Sequence, residues 1–260
     1  MPVAFLYSTT GIILSYHDFR EADRLYSVFT PTHGKIEFIA RGGHKPLAKL
    51  TPHLEMVGEV ELLLVSGRTF QTVAGVERRR GFPGIITDLP KLFLTKNSLS
   101  LVDLATRSFE RDPVLYHLLV DWLEFVETSP PLSDERAAFL LGSFVLKLMA
   151  VSGYRPELNQ CLSCRQSIVA GGFFWHALKG GVVCEPCVQK DQEQWFSARR
   201  IDDHVLKLMR FASQESFSSQ TRPVLAAEQI TWFHDILESY LICHFPTIPA
   251  VSIRQACLTI

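Results

Sequence analysis

Four cysteines are the residues whose types and spacing are best suited to chemistry in this chain. They form two C-x-x-C pairs, Cys161 with Cys164 and Cys184 with Cys187, and nineteen residues lie between the pairs. This spacing is typical of a four-thiolate zinc site. Four sulfurs at about 2.3 Å complete the tetrahedral coordination of Zn²⁺ and leave no position for a substrate water. The motif therefore predicts one structural zinc ion rather than a catalytic metal.

Two other interpretations of the cysteines remain open. Disulfides belong to oxidising compartments, but residues 1–6 have no basic stretch typical of a secretory signal, which favours reduced thiols and metal. A redox C-x-x-C motif lies at a strand-to-helix junction of a βαβ unit. Here two glycine pairs bracket residues 173–176, as in a short ribbon, and His176 is an alternative metal ligand. Cys243 and Cys257 have apolar neighbours and are predicted to be core residues.

The motifs of common catalytic sites are missing from the sequence. Gly34 and Lys35 lack the upstream glycine and the following hydroxyl of a nucleotide-binding P-loop. The chain has no H-E-x-x-H and no G-x-S-x-G, and Pro186 lies inside its C-x-x-C instead of before it, unlike the P-C-x-x-C of a zinc deaminase. We therefore expect that the protein is not an enzyme.

Positive charge is concentrated locally, although the net charge is −1. Residues 33–49 carry four cations and one acid, and three consecutive arginines follow later in the chain. The candidate DNA-binding residues are Lys35, Arg41, Lys45, Lys49, Arg78, Arg79 and Arg80. Such runs are often only solvated surface. A groove of this charge is also what phosphate contacts require.

Hydrophobic patterning divides the chain into two parts. Five short stretches rich in β-forming residues within 9–78 predict a small barrel of the OB type, although an SH3-like barrel has a similar pattern. Helical periodicity follows over 112–127, 133–152 and 205–245, with residues 218–223 between two helices in the last stretch. We expect an OB domain over 1–80 and a helical domain over 81–260 that is interrupted by a zinc ribbon at 158–190. With 47% hydrophobic residues and no apolar run of about 18, the chain is expected to be cytoplasmic, without a membrane contact.

The order of these parts resembles the bacterial RecO family of recombination mediators. The resemblance is most specific over residues 11–52 and extends more loosely through Gly153-Tyr154-Arg155-Pro156 and the cysteine pairs. Its motifs are Gly11-Ile12-Ile13-Leu14, Glu21-Ala22-Asp23-Arg24-Leu25, Phe29-Thr30, Gly34-Lys35, Ala40-Arg41-Gly42, Lys49-Leu50, Pro52 and Glu61-Leu62-Leu63-Leu64.

The resemblance implies a function in DNA repair. It implies a protein that binds single- and double-stranded DNA, anneals complementary strands without ATP, and works in the RecFOR pathway of the DNA damage response. The implied partners are RecR, the C-terminal tail of the single-stranded-DNA-binding protein SSB, and indirectly RecA. An apolar groove flanked by a cation, among the helices at 112–127, 133–152 and 205–245, would suit the SSB tail.

Two alternatives from other classes remain. The first is a zinc-ribbon accessory protein of transcription or translation that uses the ribbon for RNA or partner contact. The second is a protein scaffold whose barrel surface binds nothing. Strand annealing by the purified protein would separate the recombination mediator from both.

Overall fold

The computed structural model describes residues 5–43, 50–54, 57–67, 69–168 and 171–248. These residues form two compact units, Met1–Pro131 and Leu132–Ile260. The sequence predicts a different division, into an OB domain over 1–80 and a helical domain over 81–260. That boundary stays a prediction.

A closed five-stranded barrel forms the beginning of the first unit. Its strands are β1 Leu6–Phe19, β2 Asp23–Thr30, β3 Gly34–Ala40, β4 Gly58–Val65 and β5 Gln71–Gly81. Their order around the barrel is β1-β2-β3-β5-β4, with β3 parallel to β5 and the other pairs antiparallel. This Greek-key closure matches the five-stranded OB architecture. The prediction of an OB-type barrel is confirmed.

Alternation along the strands explains the barrel core. On β3, Ile36, Phe38 and Ala40 are buried while Glu37 is exposed, as a period of two residues requires. Phe38 stacks on Tyr26 of β2 with ring centroids 5.5 Å apart. The interior is filled by Ile13, Tyr26, Val28, Ile36, Phe38, Ala40, Leu54, Val60, Leu62, Leu64 and Val73.

Three helices complete the first unit: α1 Pro83–Ile86, α2 Leu89–Ala105 and α3 Pro113–Thr128. Aspartates begin the two long ones, since Asp88 accepts from the Lys91 N–H at 3.1 Å and Asp112 from the Leu115 N–H at 2.9 Å. The sequence predicted α3 but not α2. The buried face of α2 includes Lys91, Thr95 and Ser98, and these polar residues interrupt its apolar periodicity.

The second unit is built on long helices: α4 Asp134–Val151, α6 Asp203–Gln214 and α7 Ala227–His244. Ser133 caps α4 through the Arg136 N–H at 3.3 Å, and most residues of α4 are buried. The two helices predicted within 205–245 are confirmed as α6 and α7, and the segment predicted between them, 218–223, overlaps a 3₁₀ turn over Phe217–Thr221. Cys243 is exposed, so its prediction as a core residue was wrong, and Cys257 lies outside the described residues.

A small sheet interrupts these helices. Strands β6 Phe173–His176 and β7 Gly181–Cys184 form a hairpin, helix α5 Glu185–Lys190 follows, and β8 Arg199–Ile201 pairs with the other edge of β6. The predicted ribbon is present, and its sheet extends beyond residue 190. Among the helices of the described residues, none combines the length and the apolar character that crossing a bilayer requires.

Candidate metal centre and nucleic-acid interface

The four cysteines predicted to bind metal converge on one point. The sulfurs of Cys161, Cys164, Cys184 and Cys187 all lie within 4.8 Å of one another, and Cys164 Sγ and Cys184 Sγ are 3.9 Å apart. Sulfurs bound tetrahedrally at about 2.3 Å from zinc would be separated by about 3.8 Å. The donor set and its spacing therefore fit one tetrahedral metal ion.

Backbone pairing brings the two cysteine turns together. The Leu162 N–H donates to the Val182 carbonyl at 2.9 Å, which holds the first turn against β7. Gly181 makes this approach possible, because a Cβ at that position would lie 2.8 Å from the Glu157 carbonyl oxygen. Cys184 ends β7 and Cys187 lies in α5, so the hairpin presents the second pair to the first.

Backbone N–H groups prepare Cys161 to carry negative charge. Burial by itself disfavours its thiolate, but N–H groups of Cys184 and Ser163, each 3.4 Å from its sulfur, contribute to lowering the pKa of Cys161 to about 6. Burial raises the pKa of Cys184, and hydrogen bonds with the neighbouring thiols raise it further. A bound cation would keep all four sulfurs ionised.

His176 does not take the place of a cysteine. It is buried, its Nδ1 accepts from the Lys179 N–H at 3.2 Å, and its Nε2 lies 3.1 Å from Ser197 Oγ. Nδ1 thus contacts the turn between β6 and β7, and Nε2 contacts the segment before β8. The alternative in which His176 binds the metal is not supported by these contacts.

Lys35, the first of the predicted DNA-binding residues, makes a local contact on the barrel. Its Nζ lies 3.2 Å from Asp103 Oδ1 and 2.5 Å from the Asp103 carbonyl oxygen, and only 13% of its side chain is exposed. Ser15 and Ser27 donate to the same carboxylate at 2.6 and 2.7 Å. Asp103 on α2 therefore joins β1, β2 and β3. This clamp was not predictable from the sequence, because α2 itself was not predicted.

The three consecutive arginines lie at the end of β5. Arg78 donates to the Pro52 carbonyl, and Arg79 donates to Thr10 Oγ1 at 3.0 Å. Arg80 pairs with Glu124 and its guanidinium lies 5.2 Å from the Phe82 ring centroid. Arg79 and Arg80 are exposed. The cluster is a basic surface with local partners, and its contact with DNA stays a prediction.

Arg41 follows β3 in an exposed turn. The next residue is fixed to the β1–β2 hairpin, because the Gly42 N–H donates to Asp23 Oδ1 at 2.8 Å. Lys45 and Lys49 lie outside the described residues. Among the predicted cations of residues 33–49, Arg41 is thus the one whose side chain is exposed within the described part of the chain.

Comparison with known families agrees with the order of parts. The family model described as "Recombination protein O N terminal" matches residues 3–82, and "Recombination protein O C terminal" matches residues 86–249. The chain belongs to the recombination protein O family. The recognition of this family from the sequence is confirmed, and with it the expectation of a non-enzymatic protein.

Several relatives in the RecO family are named DNA repair protein RecO. The protein of Symbiobacterium thermophilum is 30% identical over 189 residues, which cover 72% of this chain and 73% of the relative. That of Halalkalibacterium halodurans is 27% identical over 235 residues, covering 88% of each chain. The relative from Desulfitobacterium hafniense strain DCB-2 is 31% identical over 70% of this chain, and the match spans 64% of that relative's length.

Within the RecO fold, the structure separates the aromatic residues of the barrel. Phe38 lies in the core, whereas Tyr16 on β1 is 41% exposed. The Arg24 guanidinium lies 5.0 Å from the Tyr16 ring centroid, a pair that sequence reasoning did not identify. Arg24 lies two residues before the core residue Tyr26 on β2, and residues two apart in a strand share a face. The sequence could therefore have suggested that Arg24 lies near the aromatic residues.

Proposed function

We propose that this protein is a DNA repair and recombination mediator that binds single- and double-stranded DNA and anneals complementary strands without ATP. The observation that carries the proposal is an OB-type barrel, within the region matched by the RecO family models, that carries exposed arginines at the end of β3 and on β5. OB barrels bind single strands through a cationic groove and aromatic platforms.

We assign DNA contact to the cations that follow β3 and to the arginines on β5. Arg41 begins the connection that continues through Lys45 and Lys49, so these cations follow one another along one stretch of chain. Arg79 and Arg80 add a second basic surface on β5. Lys35 supports this region chiefly through Asp103, because the clamp holds most of its side chain away from solvent. Phosphate contacts of this kind bind all sequences similarly.

Annealing needs no chemical step in this proposal. Two single strands repel each other through their phosphates, and a surface with several cations reduces that repulsion while it holds both strands. Base pairing then supplies the free energy of the reaction. ATP is therefore not required.

Zinc is the ion we assign to the cysteine cluster. Four thiolates select a soft or borderline ion, and a closed tetrahedral site of this type is structural. The ion would join the turn at Cys161 and Cys164 to the end of β7 and to α5. Its role in this proposal is stability of the ribbon.

The proposed protein partners are RecR, SSB and, indirectly, RecA, in the cytoplasm at the nucleoid. A groove of about 440 Å³ in the second unit fits the chemistry of an acidic tail with an apolar end. Leu208, Phe211 and Val224 give it apolar walls, and exposed Lys207 and Arg222 give it positive charge. We assign the SSB tail to this groove, because all of its lining residues except His204 lie within the predicted stretch 205–245.

An annealing assay tests the proposed function. Complementary labelled oligonucleotides, naked or coated with SSB, are mixed with the protein with and without ATP. Both substrates are expected to anneal, each at the same rate with and without ATP. Failure to anneal naked strands would contradict the function and favour an accessory protein or a scaffold.

A labelled SSB tail peptide tests the groove separately. Arg222→Glu and Lys207→Glu should each weaken peptide binding, while the control Lys96→Glu on α2 should not. If the wild-type protein anneals naked strands but never binds the peptide, the mediator role is wrong and only a DNA-binding activity remains.

A further inference from the structure

An exposed tyrosine and an arginine form a paired platform on the β1–β2 hairpin. Tyr16 lies opposite Tyr26 in the strand register, and their ring centroids are 5.4 Å apart. Tyr26 in turn stacks on Phe38 in the barrel core. Three rings thus continue from the interior to the surface, and Tyr16 is the ring that reaches solvent, with 41% of its surface exposed.

Arg24 extends this series of rings with a planar cation. Its guanidinium lies 5.0 Å from the Tyr16 ring centroid, and Asp18 Oδ1 accepts from its Nε at 3.3 Å. The carboxylate helps to hold the guanidinium over the ring. Guanidinium planes and aromatic rings are the two kinds of side chain on which unpaired bases stack. A single hairpin therefore presents both, one over the other, and 21% of the Arg24 side chain is exposed.

The platform adjoins the stretch of chain to which phosphate binding is assigned. A Cβ built on Gly43 would lie 3.5 Å from the Cβ of Arg24, and Asp23 holds the Gly42 N–H at 2.8 Å. Arg41 lies in this same turn, which leads on to Lys45 and Lys49. A strand with a phosphate bound at Arg41 would pass the platform with its bases within reach of it.

We infer that Tyr16 and Arg24 form a subsite that stacks an unpaired nucleobase, so that the barrel distinguishes single-stranded from double-stranded DNA. The inference rests on the proposed DNA binding and adds base recognition to it. Bases in a duplex are already stacked and paired, so their faces are not available to this platform. Phosphate contacts alone carry no information about the bases, and the higher charge density of a duplex means that they would not favour the single strand.

Fluorescence anisotropy with ordinary and abasic oligonucleotides of equal length tests the subsite in the full-length protein. Both carry the same phosphates, but the abasic strand has no base to stack. The wild-type protein should bind the ordinary strand more tightly. Tyr16→Ala should weaken its binding about fivefold to a hundredfold, from the usual contribution of one stacked base, and should leave abasic binding unchanged.

Two further variants separate stacking from charge and from folding. Tyr16→Phe retains the ring and should keep the wild-type preference for the ordinary strand. Arg24→Lys keeps the charge but loses the plane, so it should reduce the preference with no change in salt dependence. Phe109→Ala, which removes another exposed ring of the same unit, is the matched control and should have no effect.

The outcomes distinguish this inference from the proposed function. If the wild-type protein binds neither strand, DNA binding itself is wrong. If it binds both strands equally, or if Tyr16→Ala weakens both to the same extent, DNA binding stands and the base subsite is overturned.

Discussion

The cysteine cluster and the basic surface of the barrel hold their functional atoms in different ways. In the cluster, four side chains within 4.8 Å of one another are fixed by a hairpin and by the short C-x-x-C turns. On the barrel, the cations are spread over β3, β5 and the connection after β3, and several of them already contact protein groups. The cysteine cluster can bind its ion only if four sulfurs meet at one point. The barrel surface depends instead on how many cations it carries.

This difference determines how each region responds to substitution. A tetrahedral site loses its ion when one of four ligands is removed, because the remaining three leave the coordination incomplete. A phosphate-binding surface loses one counterion-release contribution for each cation removed. Single substitutions should therefore be decisive in the ribbon and graded on the barrel.

Removal of one cysteine is the largest effect that we expect. Cys184→Ser should abolish metal binding, and elemental analysis after dialysis should fall from about one equivalent of zinc to none. Structural zinc contributes about 10–16 kcal/mol in zinc-finger peptides, so thermal stability of the second unit should fall clearly. The control is Cys243→Ser, which changes an exposed cysteine on α7. A metal-free variant with undiminished thermal stability would contradict the structural role.

The two regions also differ in how far the sequence predicts them. The cysteine site was predictable residue by residue, because each C-x-x-C turn places two sulfurs locally and leaves only one partner turn to find. The barrel strands were predictable from alternation, as Ile36, Phe38 and Ala40 illustrate. Local spacing carried the information in both cases.

The environment of the basic residues was not predictable in the same way. Lys35 was a candidate DNA-binding residue, and Asp103, 68 positions later in the chain, lies against it. That contact depends on α2, which was not predicted because its buried residues Lys91, Thr95 and Ser98 are polar and interrupt the apolar periodicity of the helix. Contacts between elements remote in sequence depend on packing, and no local pattern encodes them.

Asp103→Ala is the second-largest effect that we expect. It would leave Lys35, Ser15 and Ser27 without their shared acceptor in a mostly buried place, at a cost of about 2–4 kcal/mol in the free energy of unfolding. Urea denaturation measures this loss. The control Asp121→Ala removes an exposed acid on α3 and should change stability by less than about 0.5 kcal/mol. Equal effects of the two variants would mean that the clamp does not stabilise the barrel.

Arg41→Ala should have a graded effect on DNA binding and little effect on folding. About four phosphate contacts predict a log–log salt slope near −3 for single strands, and the variant should reduce its magnitude by about 0.7. Anisotropy titrations over a range of salt concentrations measure the slope. Arg107→Ala, which removes an exposed arginine of the same unit, is the control. An unchanged slope for Arg41→Ala would place the DNA contacts elsewhere, most directly on Arg78, Arg79 and Arg80.

Glu124→Gln should have the smallest effect, and it tests whether the β5 arginines contribute to DNA binding. Glu124 pairs with Arg80 at the surface, where such pairs contribute about 0–1 kcal/mol, so folding should be nearly unchanged. Loss of the carboxylate removes a negative charge and releases the guanidinium. If Arg80 contacts phosphates, DNA affinity should rise about twofold at low salt, and the gain should disappear at high salt because screening weakens exposed charges.

The same substitution in an Arg80→Ala background separates the two causes of that rise. If Glu124 acts only through Arg80, Glu124→Gln has no effect on DNA affinity once Arg80 has been replaced by alanine. The effects of the two substitutions are then not additive. If the gain persists, the carboxylate repels DNA directly and the pair has no special role. If Glu124→Gln changes affinity in neither background, the β5 arginines lie outside the DNA path. The graded response of the barrel would then belong to Arg41, Lys45 and Lys49 alone.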